Sequence, residues 1–432
     1  MGTKKTKRLE REIQRLRTSP SYRIGLHVTG AIRKPWKAPF LLVTLPLMMF
    51  RIGLELLGTL PPPRSLSLND AGRSIIHGNC VVMFPTNGVG FGHFTRMLAL
   101  AKRMKAEDPE LEIIFFTTMP TLHLLKPYGI PAHHISGPTY FRAFDSADWN
   151  ALLEEELNIC LETHNPSMFI FDGAYPYRGM LRAIQDRPAM EKIWMRRGMF
   201  RKGAKIPIDS IQFFDSIVRP GDGIDNDEKG ELEHGVEIIR CPPITLLDKS
   251  ELLSREQARY RLGVPIDCIA VYVQLGAGQI NDITSEIRMT VDELLTFEGL
   301  HVILGESMLG SRIDMNLPRV HVIRDYPNSQ FFNGFDAVIQ AGGYNSYHET
   351  RIFGVPAMFY PNMETGMDDQ LARCQNAERE GWGSVVVERT KQNIKIGVDA
   401  LLKLPKDSSI EPFENGADVV SRVLLEKLER VR

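Results

Sequence analysis

Residues 335–361 read FDAVIQAGGYNSYHETRIFGVPAMFYP. Phe335 to Ala341 is a short, mostly apolar run with the length of a buried strand. Gly342-Gly343 stops it, and Ser346 to Phe353 reads as a helix. Gly354-Val-Pro356 closes that helix, because glycine accepts the left-handed conformation of a helix end and proline cannot continue it. Ala357 to Pro361 is a second apolar strand. Strand, turn, helix and strand in this order predict a βαβ unit, whose right-handed crossover leaves two parallel strands with a helix over one face.

The same style fills residues 244–432. Cys268 to Leu275 reads as a strand entering the turn Gly276-Ala-Gly278, and His301 to Gly305 and Val320 to Arg324 are further strands. Asp418 to Arg432 reads as an amphipathic terminal helix of this domain. Residues 77–243 repeat the alternation: strand Cys80 to Pro85, a glycine-rich turn, helix Thr95 to Ala106, strand Leu111 to Thr118, a helix near Pro120 to Pro127, and strands at Met168 to Asp172 and Ile193 to Arg196. Cys241-Pro242-Pro243 reads as the linker. The expectation is an α/β fold of two Rossmann-like domains, 77–243 and 244–432, whose parallel sheets face a ligand cleft at their C-terminal strand ends.

Residues 1–76 form a separate extension. Eleven Lys/Arg against Glu10 and Glu12 give residues 1–37 a charge of about +9, hidden inside a net charge of -1. Lys4 to Arg17 reads as a basic helix, and Ser19-Pro20 stops it. Ala38 to Phe50 is an apolar run broken by Pro46; it resumes at Ile52 and ends before Pro61-Pro62-Pro63. Arg51 and Glu55 interrupt the roughly 20 apolar residues that a membrane span needs. A helix lying in the boundary of an anionic membrane is expected, with packing on the globular body as the alternative. Nucleic acid is a poor partner, since Tyr22 and Trp36 alone interleave aromatics with the charge. The hydrophobic share of 43% and charged share of 24% are those of a globular chain. The five cysteines show no C-x-x-C pair and no histidine at ligand spacing, so they read as free thiols in a reducing compartment. With no secretory signal read at the N-terminus, a cytoplasmic protein on the inner face of the cell membrane is expected.

Two constellations carry chemistry. In the first, Gly90 and Gly92 follow a strand and open a helix, where backbone N–H groups and the helix dipole attract anions. His93 stands at the end of that turn and titrates near neutral pH. Asp172, at the end of its own strand, could orient His93 or serve as a turn or cap residue. A dinucleotide site is disfavoured, because Phe115-Phe-Thr-Thr118 stands where the ribose-binding acid belongs. In the second constellation, Gly342-Gly343 and Ser346 offer donors to a diphosphate, and Glu349 could accept two ribose hydroxyls. Asp369 and Gln370 would present an acceptor and an amide to sugar hydroxyls. Arg196-Arg197 at a strand exit, Arg96, and Arg373 one turn beyond Gln370 are candidates for phosphate or acceptor charge, or simply solvated cations. Asp225-Asn-Asp227 lies in a polar run with no preceding strand and reads as an exposed loop.

Asp336 to Ala377, with its Gly-Gly, Ser346, Glu349, Gly354-Val-Pro356-Ala, Pro361, Asp369-Gln370 and Asn376-Ala377, resembles the donor domain of family 28 glycosyltransferases. Gly88 to Arg96 resembles the glycine-rich loop and histidine of their N-terminal domain, and Leu275 to Gln279 their second glycine-rich loop. The resemblance covers roughly residues 77–405. It implies a GT-B fold, a UDP-linked sugar as co-substrate, inversion at the anomeric carbon, and neither a catalytic metal nor a bound cofactor. It places Glu349 on the ribose, Ser346 and Gly343 on the diphosphate with Gly276, Gly278 and Gln279 nearby, and Asp369 and Gln370 on the transferred sugar. His93 becomes the base or an acceptor-loop residue. One departure is that Gln370 and Asn376 stand six apart, wider than the family's spacing. Residues 19–37 resemble a tract of bacterial surface-polysaccharide glycosyltransferases, which implies a lipid-linked or polysaccharide acceptor. Gly90 to Arg96 also resembles the loop of a UDP-sugar hydrolase of the same architecture, so hydrolysis is the rival activity. A UDP-sugar 2-epimerase lacks support, its paired acids not being evident, and a non-catalytic sugar-nucleotide-binding protein is the remaining class.

Overall fold

The computed structural model describes residues 19–57, 79–86, 90–138, 145–197, 201, 207–222, 235–276, 283–309, 312–365, 368–404, 406 and 414–431. The expected helix at Lys4 to Arg17, the triple proline at 61–63, Gly88, the Asp225 to Asp227 loop, and the candidate residues Gly278 and Gln279 lie outside these. The chain divides into two compact units, residues 1–75 and 76–432.

In the first unit, helix α1 (Pro20–Arg33) starts at Ser19, whose hydroxyl accepts the Tyr22 N–H. A 3-10 turn, Pro35–Phe40, leads to helix α2 (Leu41–Leu56), which runs on through Pro46. Polar groups join the two helices. Arg23 Nη1 donates to Glu55 Oε2 at 2.5 Å, and His27 Nε2 and Thr44 Oγ1 lie 2.8 Å apart. Leu26, Ile32, Phe40, Leu42, Leu47 and Phe50 are instead exposed. The helix pair thus shows a large apolar surface, while polar contacts beside the buried Ala31 and Ile52 join the two helices. Trp36–Glu55 is long and apolar enough to cross a membrane, with a mean hydropathy of 1.5.

The second unit opens with strand β1 (Cys80–Pro85), helix α3 (Gly92–Glu107), β2 (Glu112–Thr117) and β3 (Ala132–His134). Helix α4 (Ser146–His164), β4 (Met168–Asp172), α5 (Arg178–Gln185), β5 (Glu191–Met195), β6 (Ser216–Pro220) and β7 (Glu237–Cys241) follow. The next half holds α6 (Arg255–Leu262), β8 (Ile269–Gln274), α7 (Ile283–Leu294), β9 (Leu300–Gly305), β10 (Val320–Ile323) and β11 (Ala337–Gln340). It ends with α8 (Tyr344–Phe353), β12 (Ala357–Phe359), α9 (Gln370–Arg379), β13 (Gly383–Val385), α10 (Lys391–Leu401) and α11 (Gly416–Val431).

Every strand pairing is parallel, in the orders β3-β2-β1-β4-β5-β6-β7 and β10-β9-β8-β11-β12-β13. Strands such as Cys80–Pro85 are buried throughout, since helices cover both sheet faces. The strand order reverses between β1 and β4 and between β8 and β11, and such switch points open ligand crevices at the C-terminal strand ends. These are the two Rossmann-like sheets expected from sequence. Helix α3 begins at Gly92, earlier than expected, which puts His93 in its first turn.

The terminal helix corrects the expected domain boundary. Helix α11 packs on the first domain: Asp418 accepts from Arg103 Nε of α3 at 3.3 Å, and Lys427 reaches Glu191 and Glu237 of the first sheet at 3.0 and 2.7 Å. Its Ala417, Val420, Leu424 and Leu428 join a core continuous with both domains. The chain crosses back past the linker so closely that a Cβ on Gly416 would collide with the Pro242 carbonyl oxygen. Gly416→Ala should therefore cost about 1–3 kcal/mol, as overpacking against rigid backbone does. A guanidinium melt showing an unchanged midpoint would refute the close crossing.

Candidate functional site

The C-terminal strand ends of the two sheets enclose a cavity of about 480 Å³. The loop after β1 brings Gly90, Gly92, His93 and Arg96 to its wall. The ends of β8 and β11 bring Gly276, Gly343, Ser346 and Glu349, and the segment after β12 brings Asp368 and Gln370. Sequence-distant candidates from both domains therefore meet in one place, with Arg197 beside them.

On the first domain, Asp172 is fully buried at the last position of β4, beside β1. Its Oδ1 lies 2.7 Å from His93 Nδ1, and Arg96 donates to it through Nη2 to Oδ1 at 2.6 Å and Nε to Oδ2 at 3.1 Å. Arg96 Nη2 also lies 2.9 Å from His93 Nδ1. The shorter contact, to the carboxylate, calls for a proton on Nδ1 and leaves the lone pair on Nε2; the Arg96 Nη2 approach is then one of two donors and not a hydrogen bond. Burial holds His93 below the ordinary histidine value although the neighbouring carboxylate opposes it. Burial alone would raise Asp172, but Arg96 and His93 outweigh it and keep the carboxylate ionised. The outcome is a neutral imidazole on the cavity wall, oriented from behind by a charged acid.

Two helix starts, one from each domain, face the cavity. Helices α3 and α8 begin at the cavity without a side-chain cap, whereas Asp145, Ser254 and Thr390 cap helices α4, α6 and α10. Uncapped helix N-termini leave N–H groups and positive potential for a ligand. Asn345 and Asn328, both on the wall, each have a buried side-chain oxygen with no partner. Glu349 sits beside Ser329 and near Tyr272 and Tyr326, and burial pushes its carboxyl up to about 7.

Beneath the cavity lies a compact charge network. Arg373, fully buried, donates to Asp222 at 2.7 and 2.9 Å, to Asp368 Oδ1 at 2.7 Å and to the Gly342 carbonyl at 2.7 Å. Arg197 reaches Asp368 at 3.1 Å from the other domain. The guanidiniums of Arg96, Arg197 and Arg373 lie 5.2, 5.4 and 5.9 Å from the Tyr344 ring centroid. Burial would raise Asp222, but Arg373 and His348 hold it far below the carboxylate range.

Several expectations change here. Arg373 is neither a solvated cation nor a phosphate ligand, because every face of its guanidinium is engaged in the network. Asp369 caps α9 by accepting the Ala372 N–H at 3.0 Å, and Asp368 takes its place on the wall. Gln370 is on the wall, its Oε1 accepting the Asn362 N–H at 3.0 Å. Asn376 bonds within the α9 surroundings, to Glu380 at 2.9 Å, so its altered spacing has no bearing on the cavity wall. Arg196 is buried with its guanidinium 5.1 Å from the Trp194 ring centroid, off the cavity wall. Gly342 is buried behind the wall, where a Cβ would strike Cys374 Sγ. Sequence reading placed Tyr344 and Asn345 in the donor segment without giving them a role, and missed Tyr326, Asn328, Ser329 and Asp222. Of these, only Asp222 carries a local sign, a charged residue at a strand exit.

No protein-family model matches the chain, and no curated protein matches it. Solved structures do. A glycotransferase of kitacinnamycin superposes with a TM-score of 0.58 at 13% identity, over 82% of this chain and 100% of that one. MurG of Acinetobacter baumannii gives 0.51 at 13%, over 80% and 99%. The UDP-GlcNAc 2-epimerase of Methanocaldococcus jannaschii gives 0.55 at 12%, over 80% and 99%. The shared feature is the fold, and the chain has the GT-B architecture of two Rossmann-like domains facing a cleft.

Proposed function

We propose that this chain is an inverting glycosyltransferase that moves a sugar from a UDP-sugar or related nucleotide-sugar to a cell-envelope or surface-polysaccharide acceptor. The carrying observation is the His93–Asp172 pair, 2.7 Å apart, facing the uncapped start of α8 across one cavity. His93 Nε2 takes the proton of the acceptor hydroxyl, and its oxygen attacks the anomeric carbon. The bond to the diphosphate breaks on the opposite face, its electron pair leaving with the nucleotide, so configuration inverts. Helix N-termini meet the developing negative charge. Glu349 accepts the ribose hydroxyls, and Gln370 and Asp368 face the sugar. Neighbouring structures named for UDP-sugar and glycosyl-transfer chemistry on this fold support the reading.

Incubation of the purified protein with UDP-sugars, with and without membrane lipid extract, tests it. Nucleotide release that depends on the extract supports transfer, and free sugar without extract indicates the hydrolase instead. His93→Ala should lower turnover roughly 10²–10⁴-fold with donor affinity kept. Because His93 must be neutral and its folded pKa is depressed, the wild-type rate should fall only below about pH 6.5, on the acid side. An unchanged rate in the alanine variant removes His93 from the base role.

Glu349→Ala should weaken donor binding by about tenfold or more, the scale of lost hydrogen bonds to a charged group. Hydroxyl donors favour the ionised form, so wild-type binding near pH 7 should release a proton, visible as a buffer-dependent calorimetric enthalpy. Donor affinity untouched in the variant would assign the ribose elsewhere.

The first unit supports contact with an anionic membrane. Its exposed leucines and phenylalanines suit the acyl boundary, and the basic residues before and beside them suit the headgroups. The protein should float with vesicles containing phosphatidylglycerol, less so in high salt, and Leu42→Glu with Phe50→Glu should release it. Flotation unaffected by those substitutions would take the membrane contact away from this unit.

A further inference from the structure

On the side of the first sheet remote from the cavity, α4 and two strands bring soft ligands together. Cys160 and His164 stand four residues apart in the last turns of α4, hence on one face, which corrects the sequence reading that no histidine stands at ligand spacing from a cysteine. His133 projects from β3, its Nε2 2.9 Å from His164 Nε2. The ligand atoms of His133, Cys160 and His164 all lie within 4.8 Å of one another. A second triplet, Cys80, Glu112 and His164, meets the same limit, and among the described residues these two are the only such groups. Cys80 and Glu112 open β1 and β2, while His93 and Asp172 belong to the opposite, C-terminal edge of the sheet.

We propose that His133, Cys160 and His164 bind a zinc-class cation that clips the end of α4 to the sheet edge. Two imidazole nitrogens on a tetrahedral zinc stand roughly 3.3 Å apart, from Zn–N bonds of about 2.0–2.1 Å. The pair here needs to open by only a few tenths of an ångström. Glu112 Oε1 lies 3.6 Å from His164 Nδ1, the position of the carboxylate that orients a metal-bound imidazole from behind. Cys160 is fully buried while both histidines are partly exposed, so an ion has a path inward and a thiolate shielded from solvent. Two nitrogens and a sulfur select zinc over magnesium or calcium. Water or Cys80 can complete the fourth position. The site serves structure, since it is separate from the cavity, and it stands independently of the proposed reaction.

The test uses the untagged full-length protein. After dialysis, elemental analysis should find about one zinc per chain, falling to background in Cys160→Ser and His133→Ala. Glu112→Gln should weaken zinc binding roughly 10–100-fold against a chromophoric chelator. His301→Asn alters the other close histidine pair, His301 and His321 at 3.0 Å, which has no thiol partner, and should leave the zinc content unchanged. Should the variants misfold, cobalt substitution of the wild type decides: tetrahedral visible bands with a thiolate-to-cobalt band support the site. A cobalt spectrum without the thiolate band, or apo-protein that takes no zinc from the chelator, overturns it and leaves a plain histidine–histidine hydrogen bond.

Discussion

The guanidinium of Arg373 joins Asp222, from the exit of β6 in the first domain, to Asp368 and the Gly342 carbonyl in the second. These groups have left water, so each charge depends on its partners. Removing one member of such a buried set typically costs roughly 3–5 kcal/mol, against under about 1 kcal/mol for an exposed pair. Arg197 adds a second tie, at 3.1 Å to Asp368, and Thr95 Oγ1 meets the Tyr326 hydroxyl across the cleft at 2.9 Å. The Tyr344 hydroxyl donates to the Gly221 carbonyl at 3.0 Å and accepts the Ile244 N–H at 3.2 Å, which pins the first residue of α8 to the segments around the linker. The width of the cavity, and the angle at which α8 points into it, follow from these contacts.

The alternation of strands and helices was legible because parallel strands covered on both faces are written as unbroken apolar runs, as in Cys80–Pro85 and Met168–Asp172. The three-residue strands β3 and β13 leave no periodic trace, whereas β12, equally short, was legible because apolar residues continue beyond its pairing. Helix α11 was recognisable as amphipathic, but an apolar stripe says only that a helix is covered on one side. Which sheet covers it is decided by the crossing at Gly416. In the cavity, the glycine turns and His93 were visible because their chemistry is local to a few residues. Asp172 lies 79 residues from His93, and the two meet only because β1 and β4 are neighbours in the sheet. Arg373 and Asp222 are 151 residues apart, and nothing in the helix carrying Arg373 distinguishes a buried cation from a solvated one.

That network bears on how an anionic donor is held. Arg96, Arg197 and Arg373 bring three positive charges close to the cavity, yet Asp172, Asp222 and Asp368 bind all of them. The formal sum is near zero, and the guanidiniums are committed to the frame. The diphosphate of the proposed donor would meet backbone N–H groups at the starts of α3 and α8. Dipoles fixed by the fold need no reorganisation as charge builds on a leaving group, and in a site with little water they act at low dielectric. Fixed dipoles aimed along α8 favour whichever state carries more charge on the bridging oxygen, which is the state after the glycosidic bond has begun to break.

The same economy governs the base. Asp172 is shared between His93 and Arg96, so its charge is partly spent before it reaches the imidazole. Burial is the largest influence keeping His93 neutral, Asp172 opposes it, and Arg96 adds a smaller push in the same direction as burial. With Arg96 in place, burial wins and Nε2 stays free at neutral pH. Burial, helped by the arginine beside the pair, thus lets an acid orient the histidine of the proposed base without charging it.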